Sequence, residues 1–270
     1  PRYIFHLAAQ SLVKRSYDQP LYNFETNFNG TLNLLETLRL IKFKCTIVII
    51  TSDKSYKNLE IKRGYRENDL LGGEDPYSAS KGSAEIIINS YFSSFLKFKK
   101  NIRLGIARAG NVIGGGDWSE NRIVPDIIRS VQRKKSVQIR RLNATRPWQH
   151  VLEVLNGYMI FARKLDLQKK FNGEAFNFGP SKNSNYSVSN LLLVMRKKWK
   201  EIKWKKSSQK FKESTLLKLN SSKANKKLNW KNKLKFTEVV GMIVKWHKGH
   251  LNKENMYQLS INQIKYFENK

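Results

Sequence analysis

Three short apolar runs, each followed by polar residues, constrain the fold of this chain most strongly. The runs lie at residues 3–8 (YIFHLA), 46–50 (TIVII) and 103–109 (RLGIARA). Continuous runs of this length are typical of strands that are buried on both faces of a parallel sheet. The polar clusters HLAAQ, TSDK and RAGN stand at their ends. Because the carboxyl ends of parallel strands meet at one edge of a sheet, we predict that the clusters converge in one crevice.

Helical segments separate these strands. Residues 21–40 carry apolar side chains at helical spacing, and Asp75 is placed to cap a helix over residues 76–95. A further helix is predicted at residues 123–132 and a last strand at residues 176–178. Strands that alternate with helices in this way predict βαβ units and an α/β fold with a doubly wound parallel sheet.

The composition narrows the class of protein. A chain of 270 residues with 40% hydrophobic residues can bury a core, and no apolar run approaches the ~18 residues of a membrane helix. The single cysteine, Cys45, excludes a disulfide framework, and we expect no metal site. The net charge of +30 fits a polyanion-binding protein, but lysine outnumbers arginine 36 to 15, which favours a solvated lysine-rich surface. We therefore expect no membrane partner and no specific nucleic-acid partner.

Tyr77 and Lys81 are candidate catalytic residues. Their separation of four places both side chains on one face of the predicted helix, within reach of one ligand. A phenol has an ordinary pKa near ~10, and a nearby ammonium favours the phenolate, which could then serve as a base. Ser52, at the end of the second strand, could hold a substrate hydroxyl against Tyr77.

Taken together, these motifs resemble the extended short-chain dehydrogenase/reductase family. The matching segments are HLAAQ (6–10), TSDKSY (51–56), PYSASK (76–81), RAGNVIGGGDW (108–118), RPWQHV (146–151) and FNFGP (176–180). Within that family the chain looks most like the nucleotide-sugar 4,6-dehydratases, and among these the CDP-glucose 4,6-dehydratases, because of TSDK, GGGDW and RPWQHV. The resemblance covers approximately residues 1–250 and is most specific up to residue 180.

The resemblance implies an NAD-dependent lyase that dehydrates a nucleotide-diphosphate glucose, with CDP-glucose favoured, to the 4-keto-6-deoxy sugar. Tyr77 removes the 4-hydroxyl proton while NAD takes hydride from C4, water leaves across C5 and C6, and the hydride returns to C6. Asp53 is the implied acid for the departing hydroxyl, which requires it to be held protonated by burial. Lys54 stands where the family usually keeps a glutamate and is the implied base, which requires a neutral amine. The implied catalytic set is Ser52, Asp53, Lys54, Tyr77 and Lys81.

The resemblance also implies the binding residues. The cofactor would lie against the backbone after the first strand and against the catalytic helix, at Ala8, Ala9, Gln10, Asn27, Tyr77 and Lys81. The nucleotide diphosphate would bind at Asn111, Arg122 and Arg146, since the arginine fork suits phosphate oxygens. The glycine triplet at 114–116 fits either a phosphate-binding loop or a turn, and the sequence leaves both interpretations open.

The family's G-x-x-G-x-x-G turn, which holds the cofactor pyrophosphate, does not occur among these residues. We therefore expect a Rossmann-like sheet that lacks its first strands, and little NAD binding or turnover by these 270 residues alone. Residues 1–110 and 147–178 are assigned to this truncated NAD-binding domain. Residues 111–146 and 179–270 are assigned to a smaller nucleotide-sugar-binding domain.

The same resemblance predicts a cytoplasmic enzyme of nucleotide-sugar metabolism that supplies lipopolysaccharide synthesis. When full length it would form a homodimer through the helices at 21–40 and 76–95. A 4-epimerase of the same family is one alternative, and it would need no elimination acid at Asp53. A non-catalytic basic protein that binds polyanions is another, with binding that weakens steeply in salt and that is indifferent to Tyr77→Phe. A decayed or partial gene product is a third.

Overall fold

A computed structural model of the chain describes residues 1–61, 63–180, 186–207 and 217–270. The strands are β1 (Tyr3–His6), β2 (Cys45–Ser52), β3 (Ile102–Ala109), β4 (Val112–Ile113), β5 (Val137–Ile139), β6 (Thr145–Arg146), β7 (Gln149–His150), β8 (Ala175–Phe178), β9 (Tyr186–Ser187) and β10 (Trp204–Lys206). The α-helices are α1 (Val13–Asp18), α2 (Pro20–Phe24), α3 (Gly30–Leu40), α4 (Pro76–Ser94), α5 (Ile123–Gln132), α6 (Val151–Leu167), α7 (Val188–Lys198), α8 (Phe236–Leu251) and α9 (Met256–Glu268). Short π-helical turns lie at Glu25–Asn29 and Ala224–Leu228, and 3₁₀ turns at Asp53–Ser55, Leu96–Phe98 and Lys169–Phe171.

The chain divides into two compact units. The first unit contains residues 1–110, 155–179 and 217–231, and the second contains residues 111–154, 180–216 and 232–270. Among the described residues, none of the helices combines the length and apolar character that crossing a bilayer requires.

A parallel four-stranded sheet, in the order β1-β2-β3-β8, organises the first unit. Ile47 and Ile49 of β2 are fully buried, and Leu35 of α3 and Ile88 of α4 belong to the same core. A strand that is buried on both faces does not alternate between apolar and polar residues. This burial therefore explains why the sequence of β2 contains one continuous apolar run. The predicted α/β fold with a parallel sheet of Rossmann type is confirmed.

The predicted helix at residues 21–40 is interrupted in the structure. It consists of α2, the π-helical turn at Glu25–Asn29, and α3. The predicted start of the next helix is confirmed, because the Asp75 carboxylate accepts a hydrogen bond of 2.9 Å from the backbone of Ser78 at the start of α4. An acceptor at this place satisfies one of the unpaired backbone N–H groups of the first helical turn.

The second unit has its own apolar core, formed by one face each of α5, α7 and α8. Short strand pairs accompany it: β4 with β7, β5 with β10, and β6 with β9. The helix α5 has the bounds expected from its apolar periodicity.

The two units differ from the expected domains in three places: residues 147–154 lie in the second unit, residues 217–231 lie in the first, and Gly179 also lies in the first. The second difference has a clear cause. The backbone N–H of Tyr65 donates to the Lys218 carbonyl at 2.8 Å, and the Trp230 indole packs edge-on against Phe178 with ring centres 5.1 Å apart. These contacts join residues 217–231 to the first unit, although this stretch is as rich in lysine as the sequence on either side of it.

Candidate active site

The end of β2 carries the first part of the candidate site. Ser52 and Asp53 are buried, and the Ser52 hydroxyl donates to the Asp53 carboxylate at 3.0 Å. The same Ser52 oxygen accepts a hydrogen bond of 3.2 Å from the backbone of half-buried Lys54, which caps the 3₁₀ turn at Asp53–Ser55. The predicted catalytic residues of this segment therefore lie on a short, internally bonded turn at the carboxyl end of the strand.

This turn packs directly against α4, and Gly82 makes the close approach possible. A Cβ atom at position 82 would lie 3.2 Å from the Gly72 nitrogen and 3.4 Å from the Ser55 carbonyl oxygen. Those two backbone groups are themselves joined by a 2.8 Å hydrogen bond. The turn with Asp53 and the helix with Tyr77 thus belong to one packed arrangement in the first unit.

Tyr77 and Lys81 are both buried, one turn apart on α4. The backbone N–H of Tyr77 donates to the hydroxyl of Ser16 on α1 at 3.2 Å. Burial lowers the pKa of Lys81 to about 8, against the attraction of Glu85, which raises it. Burial and the charge of Lys81 together lower the pKa of His6 at the carboxyl end of β1. The carboxyl end of β1 and the amino-terminal part of α4 therefore share one electrostatic environment.

The loop after β1 is tied to the start of α4 through Asn27. The Asn27 side chain accepts from the Gln10 backbone N–H at 2.8 Å and donates to the Gln10 carbonyl at 3.0 Å and to the Ser80 hydroxyl at 2.9 Å. Asn27 therefore links the backbone after β1 to the start of α4. Next to it, Ala8 is exposed and Ala9 half-buried, which leaves the backbone after β1 open to a ligand.

The predicted diphosphate ligands all lie in the second unit. The Asn111 carbonyl accepts from the Gln149 backbone at 3.3 Å, which joins the starts of β4 and β7. Arg122 is the N-cap residue of α5, and its guanidinium lies 3.7 Å from the Asp117 carboxylate. Arg146 is half-buried in β6 and donates to the Thr145 carbonyl at 2.9 Å.

The glycine triplet has a structural explanation at each position. A Cβ atom at Gly114 would lie 2.8 Å from the Val151 side chain, and one at Gly115 would lie 2.2 Å from the Trp246 indole. Gly116 has a φ of +79°, a conformation that residues with a side chain rarely adopt. These contacts favour the turn over the phosphate-binding loop.

Sequence reasoning missed a buried polar network beside the site. Arg108 and Glu85 form an ion pair in which both side chains are almost fully buried. Tyr56 and Asn177 extend it, with the Tyr56 hydroxyl accepting from Arg108 at 2.5 Å and donating to Asn177 at 2.8 Å. A signal was present, because Arg108 follows the apolar residues 104–107 within the strand and Glu85 follows Lys81 by one helical turn. A buried arginine in a central strand requires an acidic partner nearby.

Comparison with known proteins places the chain in a family. The family model described as GDP-mannose 4,6 dehydratase matches residues 1–243. The chain belongs to this family. CDP-glucose 4,6-dehydratase from Salmonella typhimurium is 42% identical in an alignment of 270 positions, which covers 98% of this chain and 75% of that enzyme. The dTDP-D-glucose 4,6-dehydratase of Dictyostelium discoideum is 29% identical over 70% of this chain and 42% of its own length.

Solved structures agree on the fold. The UDP-glucuronic acid 4-epimerase from Bacillus cereus, solved with UDP-glucuronic acid and NAD, has a TM-score of 0.79 at 20% identity, over 92% of this chain and 75% of that one. The UDP-glucose 4-epimerase from Thermotoga maritima, solved with UDP-glucose, has a TM-score of 0.80 at 22% identity, over 93% and 78%. The predicted family resemblance and the prediction of a hydro-lyase of the 4,6-dehydratase type are confirmed.

Proposed function

We propose that this chain carries the catalytic residues of an NAD-dependent dehydratase that converts CDP-glucose to CDP-4-keto-6-deoxyglucose. The observation that supports it best is the packing of the Asp53–Ser55 turn on α4, the helix that buries Tyr77 and Lys81. The alcohol base acts at C4 and the elimination acid at the hydroxyl on C6, two carbons away in the same sugar, so the two groups must share one region of the protein. The name of the Salmonella relative supports CDP-glucose as the substrate.

The oxidation at C4 requires a base at the 4-hydroxyl, and Tyr77 is proposed for it. Lys81 has a pKa of about 8, so it is mostly charged at neutral pH and favours the Tyr77 phenolate beside it. Ser52 would hold the 4-hydroxyl by a hydrogen bond while Tyr77 accepts the proton. Ser52 and Tyr77 would therefore both act on the oxygen of the 4-hydroxyl.

The elimination step is assigned to Asp53 and Lys54. The C4 ketone acidifies the C5 hydrogen, which would leave as a proton to the side-chain amine of Lys54. The C6–O bond breaks as Asp53 gives its proton to the departing hydroxyl, so that water leaves and a C5–C6 double bond forms. Asp53 is buried, as this acid role requires.

NAD would be held at the open backbone of Ala8 and Ala9, beside Tyr77 and Lys81. When bound, it would supply the oxidation at C4 and the reduction at C6. Lys54 would return its proton to C5 as C6 gains the hydride, which completes the 4-keto-6-deoxy sugar. The small side chains and the buried ammonium fit the nicotinamide riboside end of the cofactor. The printed sequence contains no G-x-x-G-x-x-G turn for the pyrophosphate, so we predict weak NAD binding by residues 1–270 alone.

Two further assignments complete the proposal. Asn111, Arg122 and Arg146 would bind the diphosphate of the sugar nucleotide through their amide and guanidinium donors. The exposed apolar side chains Leu21 and Ile86, on α2 and α4, would lie in a homodimer interface. Sedimentation of wild type against an Ile86→Lys variant tests the dimer, which the added charge should dissociate.

A chimaera tests the activity. The part of the Salmonella enzyme outside the matched 75% is joined to residues 1–270 in its own order, and the product from CDP-glucose is measured by the alkaline absorbance of 4-keto-6-deoxy sugars. We expect product from the chimaera and almost none from residues 1–270. In the chimaera, Asp53→Asn should still reduce NAD with CDP-glucose but release little product, because only elimination needs this acid. No product from the folded chimaera contradicts the proposal, and a 4-epimer in its place, unaffected by Asp53→Asn, indicates an epimerase.

A further inference from the structure

Glu85 and Arg108 form an ion pair deep in the first unit. Their side chains are 0% and 3% exposed, and the Arg108 Nε lies 2.8 and 2.9 Å from the two Glu85 oxygens. Arg108 Nη2 also donates to this carboxylate. Removing two charges from water costs free energy that their attraction rarely exceeds, so an apolar pair of similar size would serve cohesion equally well. The pair therefore calls for an explanation other than stability.

The other hydrogen bonds of this pair connect several segments of the first unit. The Thr51 hydroxyl of β2 donates to Glu85 Oε1 at 2.6 Å. Arg108 Nη1 on β3 donates to the Tyr56 hydroxyl at 2.5 Å and to the Glu67 carbonyl at 2.9 Å. One carboxylate on α4 thus receives donors from both central strands of the sheet, which fixes the helix along the strand direction.

The connected positions are next to the candidate catalytic residues. Glu85 follows Lys81 by one helical turn and Tyr77 by two, on the same face of α4. Thr51 immediately precedes Ser52 at the end of β2. The network therefore spans the helix with the base and the strand with the hydroxyl that would hold the substrate.

The charge of Glu85 acts on Lys81. Attraction to Glu85 raises the pKa of Lys81 against the larger effect of burial, and His6 is the titratable group that senses Lys81 from β1. Burial opposes the charge on Arg108, but Glu85 and Tyr56 outweigh it and raise the pKa of Arg108.

We propose that Glu85 and Arg108 are positioning residues for catalysis: they hold α4, which carries Tyr77 and Lys81, in register with the end of β2. The catalytic meaning of this statement rests on the function proposed above. The effect of the Glu85 charge on Lys81 does not, because it can be measured in the chain without any turnover.

The first test measures the titration of Lys81 by NMR in the 270-residue chain with ¹³C-labelled lysine, assigned through Lys81→Arg. We expect Glu85→Gln to lower the pKa of Lys81 by about 1 or more, because an attracting charge is lost and the Arg108 charge is left unopposed. Glu36→Gln is the matched control, since the exposed Glu36 also accepts from a side chain of α4, the Tyr91 hydroxyl at 3.2 Å. An unchanged Lys81 titration in Glu85→Gln overturns the charge role.

Two further variants keep the test decisive. Glu85→Gln leaves a lone buried cation and can fail to fold, so Glu85→Gln/Arg108→Met removes both charges, and here too the pKa of Lys81 should fall. Thr51→Val removes only the tie to β2. In the chimaera it should lower kcat about tenfold or more with little change in KM and no change in the Lys81 titration. Wild-type kcat in Thr51→Val overturns the positioning role. A chimaera without dehydratase activity contradicts the proposed function, and the Lys81 titrations still decide the charge role.

Discussion

The two ends of the parallel sheet each bury a carboxylate with cationic partners, yet they are built differently. At the amino end, Asp166 receives Arg2 at 2.6 Å, Lys44 at 3.1 Å and the Tyr3 hydroxyl at 2.8 Å. The side chains of Arg2 and Lys44 are 58% and 54% exposed. At the carboxyl end, both members of the Glu85–Arg108 pair are shielded from water, and the buried Lys81 lies beside them.

The difference in exposure indicates different roles for the Asp166 cluster and the Glu85–Arg108 pair. Hydrogen bonds from Arg2 hold the pKa of Asp166 well below its usual range, and this carboxylate ties the starts of β1 and β2 to the end of α6. The side chains of its two cations, Arg2 and Lys44, are more than half exposed to water. At the carboxyl end, burial depresses the pKa of Lys81 towards neutrality, which makes an ammonium titratable in the range where enzymes work.

Neutralising the two carboxylates should give the largest contrast. Glu85→Gln leaves Arg108 buried without a counter-charge and should lower the free energy of unfolding by about 3–5 kcal/mol. Asp166→Asn frees cations that are already solvated and should cost about 1–2 kcal/mol. Urea unfolding of the two variants measures both values. Equal losses would show that the two ends do not differ in the way described.

Removing one hydroxyl at each end should separate activity from stability. In the chimaera, Tyr77→Phe should lower kcat by about 100-fold or more while the unfolding temperature changes little, because the phenol is the proposed base. Tyr3→Phe should leave kcat unchanged and lower the unfolding temperature, since it loses a hydrogen bond to Asp166. Full turnover by Tyr77→Phe would remove this residue from the mechanism.

The buried ammonium should cost stability at neutral pH. The pKa of Lys81 is lowered from 10.5 to about 8, so between these values the unfolded chain binds more protons and stability rises with pH. Lys81→Met should therefore be more stable than wild type at pH 7, by about 3 kcal/mol, and this advantage should shrink above pH 8 and vanish near ~10.5. Lys44→Met, at the exposed position, is the control and should show no such gain. Thermal unfolding across pH 6–11 gives the comparison.

Acid should weaken the amino end by a smaller amount. Because folding lowers the pKa of Asp166, its contribution is complete above the ordinary carboxyl value near ~4 and is lost as pH falls below it. The stability difference between wild type and Asp166→Asn should thus narrow below pH ~4. A difference that stays constant down to pH 2 would mean that the Asp166 charge contributes nothing.

Local patterns predicted much of the first unit. The apolar runs gave β2 and β3 to within a residue or two at each end, and the Asp75 cap and the start of α4 followed from side-chain chemistry. The interruption of the helix at Glu25–Asn29 was not predicted, since its spacing of apolar residues is continuous. Periodicity reports which face is buried, and a single π-helical turn changes that face too little to be seen.

The missed features depend on contacts between distant segments. Glu85 and Arg108 are 23 residues apart, and their pairing follows only from the register of α4 on β3. Residues 217–231 belong to the first unit because they contact Tyr65 and Phe178. No local sequence pattern links that stretch to these two residues. The roles of Ser52, Asp53, Lys54, Tyr77 and Lys81 remain predictions.

The lack of a side chain at position 82 gives a way to vary the catalytic geometry without altering any polar group. An added methyl group would meet backbone at 3.2–3.4 Å, so the Asp53–Ser55 turn and α4 would separate by a few tenths of an ångström. Alanine there would act as a spacer between the elimination acid and the phenol, and a series of larger residues would grade the gap. The tolerance of the reaction to distance could then be measured with every reacting group intact.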